Sequence, residues 1–534
     1  LAVNNLLNKH KKYVFASLLY LLTAGILLIA SLILNHGHFV YALDDPYIHM
    51  TLAKNFVSNG HWAVNGSDFS SSSSSPLWTL IISAVYYVLG VNVITPFILN
   101  IIFGLITILI AYVILKKFNI EKYILFILLA VIYVPPMPTI MFTGMEHTAQ
   151  IAFTLLFVYL SSKLIAEEGK DYKNLITILF ITPIITGLRY EDFFFVLVVC
   201  ALLAIRKKFL FSALILVFGL SPILIYGFIS VSHGWLFIPN TILVKSKLPE
   251  LSILYIPKTI FRACKNMLEP HMLVLLSAGT FTFIYSYLKK RTVWFQKQVM
   301  LLIFLLGAIL HETFAQNGWF FRYEAYLVAM GILVIFINLY DLLPENFSFR
   351  LFKEKFMDSG LKKFAVITYA APLVMWALTA LLVPLSTNNI YDQHYQMGLF
   401  VKNYAKGINI AANDIGIISF YSNNNILDLW GLADMEAGRD RITKTYTTNK
   451  ISSLAKSKNI KLAILYEHWF DQYGGLPPSW EKLGEWTITD FNETCGTETV
   501  SFYAVDTSQA ENLRTKLQEF SAQLPASDIY KIFN

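Results

Sequence analysis

Two adjacent carboxylates, Asp44 and Asp45, follow a long apolar run in the segment Tyr41-Ala42-Leu43-Asp44-Asp45-Pro46-Tyr47-Ile48. Such a pair can divide two tasks: one carboxylate accepts a proton from an attacking hydroxyl while the other orients it or holds a metal ion. Pro46 suits the first turn of a helix with Asp45 as its cap, and Ile48, Leu52 and Phe56 recur at helical spacing. The plainer reading of the pair is that cap and a solvated neighbour. Further ionisable residues stand at the ends of apolar runs, where burial in lipid costs a few kcal/mol each and a role beyond solubility is expected. They are His49, Glu146, His147, Arg189, Glu191, Asp192, Lys245, His311, Glu312, Arg322 and Glu324. Each also has a simpler use: Glu146 at a helix start, Glu191 neutralising Arg189, Lys245 as a headgroup anchor and Arg322 reaching back to the interface.

The elements that must position these groups are membrane spans. The chain has 534 residues, of which 56% are hydrophobic and only 14% charged, too little charge to solvate a soluble protein of this size. The net charge of +7 is concentrated in short basic clusters between apolar runs, the mark of cytoplasmic loops rather than of a nucleic-acid partner. Three cysteines cannot make a disulfide framework, although Cys264 and Cys495 are expected on the same side. With about 20 apolar residues per crossing and basic clusters kept inside, about eleven spans thread the chain. They fall near 13–34, 95–115, 121–138, up to 165, 174–188, 192–206, 210–231, up to 289, 298–315, 324–341 and 364–385. Lys9, Lys11 and Lys12 place the N-terminus in the cytoplasm, so residues 35–94 form a first outer loop with interfacial helices. Pro76–Gly90 is too short for a crossing. Ser70–Ser75 reads as a flexible connector, or otherwise as a hydroxyl-rich loop that orders on substrate.

The expected fold is therefore an all-α polytopic membrane protein over residues 1–385, followed by a globular α/β or α+β domain over 386–534 on the outer face. In that domain Ile415–Tyr421, Lys461–Tyr466 and Val500–Val505 read as strands, and residues 395–404 and 509–523 as helices. No nucleotide-binding glycine loop is present.

Asp44-Asp45-Pro46-Tyr47-Ile48-His49, then Leu52-Ala53-Lys54-Asn55, Gly60-His61-Trp62 and Ser75-Pro76-Leu77-Trp78, resembles the first outer loop of the GT-C membrane glycosyltransferases, most similar to the arabinofuranosyltransferase-like branch. Thr143-Gly144-Met145-Glu146-His147 resembles that family's Gly-Met-Glu segment. Leu188-Arg189-Tyr190-Glu191 resembles its Arg-Pro-Glu corner, with Tyr190 where proline is usual. Gly234-Trp235 with Pro239-Asn240-Thr241 and Lys245 resembles a Pro-Asn-Thr loop. Asn413-Asp414-Ile415-Gly416 with Leu427-Asp428-Leu429-Trp430-Gly431-Leu432 resembles a segment of the outer domain. The motifs occur in the family's order and span most of the chain.

The resemblance implies a polyprenyl-phosphate sugar donor, a cell-envelope glycan or glycolipid acceptor, and inverting transfer at the non-cytoplasmic face of a bacterial plasma (inner) membrane. Asp44 or Asp45 is then the general base, Asp44 being favoured as closer to the span end. Arg189, Lys245 and Arg322 are expected on the donor phosphate, and His49, Glu146, His147, Glu191, Asn240, His311 and Glu312 on substrate. No tightly bound cofactor is expected. A divalent cation (Mg2+, Mn2+ or Ca2+) on Asp45 is left open. A secondary transporter should show inverted repeats and broken mid-membrane helices, which this sequence lacks, and a membrane assembly protein would leave the ordered acids without a use.

Overall fold

The computed structural model describes residues 10–66, 68–169, 171–245, 256–290, 292–318, 322–340 and 379–533. Among the described residues the regular elements of the membrane module are all helices. Its helices are α1 (Lys11–Leu34), α2 (Asp45–Asn59), α3 (Pro76–Leu89), α4 (Thr95–Lys117), α5 (Ile124–Tyr133), α6 (His147–Ala166), α7 (Tyr172–Leu188), α8 (Phe193–Ile205), α9 (Phe209–Ser232), α10 (Asn240–Lys245), α11 (Ile256–Met267), α12 (Pro270–Lys290), α13 (Gln296–Phe314) and α14 (Ala325–Tyr340).

Seven helical stretches among the described residues are long and apolar enough to cross a membrane. These are α1, α4, α5 with the turns that continue it to Thr143, α6, α9, α12 and α13, which makes this a multi-pass membrane protein. Shorter apolar helices, α3, α7 and α14, stand beside them. At about 1.5 Å per residue the 14 residues of α3 reach about 21 Å, short of the roughly 30 Å of hydrocarbon. The eleventh span near 364–385 and the basic segment before it lie outside the described residues as far as residue 378.

The first loop is not a loose tether. Of the serine run, Ser70, Ser71, Ser72, Ser73 and Ser75 are buried. Ser71 receives the Asn240 N–H at 3.1 Å and the Ser230 hydroxyl at 2.9 Å, and Ser73 bonds Thr79. Hydroxyls small enough to pack and able to bond one another replace the flexible connector read from composition.

The C-terminal domain carries a six-stranded mixed sheet of β1 (Ile410–Ala412), β2 (Ile426–Asp428), β3 (Leu462–Leu465), β4 (Glu481–Ile488), β5 (Thr499–Ala504) and β6 (Asp528–Ile532). The strand order is β2-β1-β3-β5-β4-β6. Pairing is parallel for β2-β1-β3 and antiparallel for the rest, with Ala411 opposite Leu427 and Ala463. Helices α15 (Gln396–Tyr404), α16 (Gly416–Tyr421), α17 (Met435–Ile442), α18 (Thr448–Ser457) and α19 (Ala510–Ser521) flank it. Residues 415–421, read as a strand from their Ile, Phe and Tyr content, instead form α16 between β1 and β2. The first N–H groups of this helix donate to a remote carboxyl group, described below, a partner that local preference does not reveal.

Helix α2 joins the two modules because it is buried on both sides. Tyr47, Met50 and Ala53, three apart, pack into the membrane module's core. Ile48 and Leu52, four apart, enter the core of the C-terminal domain beside Phe400, Trp486 and Phe502. Phe400 is 1% exposed and meets the rings of Trp486, Phe502 and Phe520 at 5.6–5.7 Å. Phe400→Ala should cost the domain about 3–5 kcal/mol, read as a lower denaturant midpoint by tryptophan fluorescence.

Candidate active site

Adjacent residues on a helix point about 100° apart, so Asp44 and Asp45 at the head of α2 serve different modules. Asp44 occupies the N-cap position that sequence reasoning assigned to Asp45, yet neither carboxylate caps α2 itself. Asp44 instead receives the N–H groups of Gly416 at 2.5 Å and Ile417 at 2.7 Å, the first turn of α16. Burial and the neighbouring Asp414 charge push its carboxyl well above the usual range. Asp414 accepts from His394 Nε2 at 3.0 Å. Burial raises Asp414, but the bond and charge of His394 outweigh it and leave it below the ordinary carboxylate value.

Asp45 turns toward the membrane module and keeps 24% of its side chain exposed. Its Oδ2 accepts from Arg322 Nη2 at 2.8 Å, and the same nitrogen donates to the Tyr323 hydroxyl at 3.0 Å. The Tyr323 ring meets two guanidiniums, that of Arg322 at 4.9 Å and that of Arg189 at 5.3 Å. Arg189 donates in turn to Glu146 at 3.1 Å and to Glu191 at 2.6 Å. The His147 ring stands edge-on to Tyr323 at 6.0 Å. Asp45, Glu146, His147, Arg189, Glu191 and Arg322 thus form one constellation around a tyrosine. Several of its buried polar atoms have no hydrogen-bond partner among the described residues, namely Arg322 Nε and Nη1, Glu146 Oε2 and His147 Nε2.

Local sequence explains how these groups arrive. Glu146 is the cap residue of α6, and Gly144 before it has φ +65°. A Cβ on Gly144 would stand 2.7 Å from Pro46 Cβ and 2.9 Å from the Tyr41 ring, so only glycine lets this turn press on the head of α2. Arg189 ends α7, and the 3-10 turn Tyr190–Asp192 leads into α8. Asp192 in that turn accepts from Thr154 at 3.0 Å and braces it against α6.

The remaining expected residues stand elsewhere. His311 bonds the Tyr326 hydroxyl at 3.0 Å, while Glu312 accepts from Asn317, in a second polar group that includes Glu324 and His271. His49, one turn beyond Asp45, bonds Thr79 at 2.7 Å and approaches Ser73 and Ser74, so it organises the serine run. Asn240 ties α10 to the C-terminal domain by donating to the Gly431 carbonyl at 3.1 Å. The side chain of Lys245 lies outside the described residues. Cys264 and Cys495 are both free thiols, Cys264 exposed and Cys495 buried. Asp428 accepts the N–H groups of Trp430, Gly431 and Ala433 and shapes the turn after β2. Sequence reasoning missed Tyr323 and His394. For Tyr323 the available signal was an aromatic flanked by Arg322 and Glu324. For His394 there was none.

A helical membrane module followed by a C-terminal mixed-sheet domain makes up the GT-C fold. Two solved structures of ArnT from Cupriavidus metallidurans carry it. The one bound to undecaprenyl phosphate is 10% identical with a TM-score of 0.50, and the apo form 11% with 0.52. Both alignments cover 92% of this chain and 98% of ArnT. Residues 388–503 match a family model described as a domain of unknown function, DUF8728. No curated protein sequence matches.

A Cβ on Gly416 would lie 2.2 Å from the Asp44 carbonyl oxygen and 2.5 Å from Oδ2. Gly416→Ala should therefore loosen the C-terminal domain from α2, seen as faster hydrogen exchange in residues 44–50 and 414–421. Gly25→Ala, with nothing within 4 Å, should leave both unchanged. Arg189→Ala leaves two carboxylates without their buried cation and should lower stability by about 3–5 kcal/mol, measured by thermal unfolding in detergent.

Proposed function

We propose that this chain is a glycosyltransferase that moves one sugar from a polyprenyl-phosphate donor to a cell-envelope glycan or lipid acceptor. The observation that carries the reading is the pair of guanidiniums about Tyr323, one holding Asp45 and bearing N–H groups with no partner among the described residues, on a GT-C fold. Polyprenyl phosphate offers a charged head that such a cradle suits and a chain that must stay in lipid. Undecaprenyl phosphate, the molecule bound in one ArnT structure, has that chemistry. A mainly apolar cavity of about 630 Å3 between α2, α3, α7 and α9 has Tyr190, the residue after Arg189, in its lining and offers space for an isoprenoid chain. Pro183 and Pro222 interrupt the hydrogen bonding of α7 and α9 along its wall.

In the proposed reaction the donor phosphate takes over Arg322, which releases Asp45. Asp45 then accepts the proton of the acceptor hydroxyl as that oxygen bonds to the anomeric carbon. The bond from that carbon to the phosphate oxygen breaks, and the electron pair leaves on the phosphate, whose charge Arg322 and Arg189 balance. Attack opposite the leaving group inverts the anomeric centre. Asp45 is preferred as base over Asp44, because Asp44 is buried with both oxygens engaged by α16 amides. The reading puts the site and the C-terminal domain on the non-cytoplasmic side of a bacterial inner membrane, with the N-terminus inside.

The test is transfer by the purified chain from several radiolabelled polyprenyl-phosphate sugars to extracted envelope glycans and lipids. Asp45→Asn should lower the rate by about 10²–10⁴-fold, and Arg322→Ala should raise the donor KM. Wild-type rates in Asp45→Asn would overturn the mechanism.

A further inference from the structure

Away from the cluster at Tyr323, a second group of ligating side chains joins the first loop to the C-terminal domain. Ligand atoms of Asp44, His394 and Asp414 all lie within 4.8 Å of one another. Asp44 and His394 are buried, whereas Asp414 keeps 28% of its side chain exposed. His394 Nε2 faces Asp414 Oδ2 at 3.0 Å and the Tyr466 oxygen at 3.2 Å. The Tyr466 proton goes to Gln393 Oε1, so Tyr466 turns an oxygen lone pair toward the imidazole. That nitrogen therefore looks out only on oxygen acceptors. On the other side of the ring, Nδ1 meets the Cys495 sulfur at 3.6 Å.

We infer that Asp44, His394 and Asp414 bind one divalent transition-metal ion, which fastens the C-terminal domain to the head of α2. The donor set of one imidazole and two carboxylates suits Zn2+ or Mn2+, and the imidazole makes Ca2+ and Mg2+ poorer matches. Outer partners that orient ligands are in place as well. Cys495 fixes the imidazole through Nδ1, and the Gly416 and Ile417 amides fix both oxygens of Asp44. The exposed edge of Asp414 provides entry for the ion and room for a water as a further ligand. The role is structural, since Asp45 is held by Arg322 and is not one of the three ligands, and it stands apart from the proposed transfer reaction.

The experiment uses the full chain purified in detergent without chelators and without a histidine tag. Elemental analysis should find about one equivalent of Zn2+ or Mn2+ in the wild type and less than a tenth of that in His394→Gln and in Asp414→Asn. After dialysis against EDTA, added Co2+ should give a visible d–d absorption band at one equivalent and raise the thermal midpoint. Both effects should be absent in Asp414→Asn, whose circular dichroism checks that it folds. A wild-type chain that holds no stoichiometric metal and gives neither band nor shift with millimolar Co2+ overturns the inference, and the cluster is then held by protons. A Co2+ band that survives in both variants overturns it too, by placing the ion elsewhere.

Discussion

Everything at the candidate site depends on α2 being buried from two directions. A helix packed on one side only would leave one of two adjacent carboxylates in water. Here Tyr47, Met50 and Ala53 face the membrane helices while Ile48 and Leu52 fill a gap in the C-terminal domain's core. The helix cannot rotate without exposing one apolar set, so its first two carboxylates are fixed 100° apart. Asp44 is thereby committed to α16 and Asp45 to Arg322. The residue pair looks like a duplicated function and is a division of labour.

Electrostatics follows from the same geometry. Arg189 and Arg322 are two cations held near one another, an arrangement that repels unless something stands between them. Tyr323 supplies the negative face of an aromatic ring to both, and Glu146, Glu191 and Asp45 supply the countercharges. The acidic residues near the cradle thus hold the buried guanidiniums in place. Glycine at 144 and at 416 lets backbone approach α2 from opposite sides.

Much of this was legible in the residues. The runs of apolar residues announced the helices, since hydrocarbon forces every backbone polar group into internal bonding, and nearly all the expected spans lie on observed helices. Position at the ends of apolar runs singled out Asp45, Arg189, Arg322, Glu146, His147 and Glu191, but it singled out His49, His311 and Glu312 equally, and these have other partners. What could not be read was direction. Pro46 marks the start of α2, but nothing local says that the cap position belongs to Asp44, nor that its carboxylate turns to a helix beginning at Gly416. The β-prone residues Ile417, Ile418, Phe420 and Tyr421 misled for a related reason: the group that receives the first N–H groups of their helix comes from a remote segment. His394 lies in a polar stretch with no pattern of its own, and its partners come from other segments.

The Asp44 carboxylate and the amides that receive it are separated by 372 residues of chain. A ribosome adding about 5–20 residues per second needs roughly 20–70 s to close that distance. Through that interval the head of α2 exists without its C-terminal partner, with Ile48 and Leu52 uncovered and Asp44 dependent on water. Docking of the C-terminal domain is the event that covers Asp44, Ile48 and Leu52 at the head of α2.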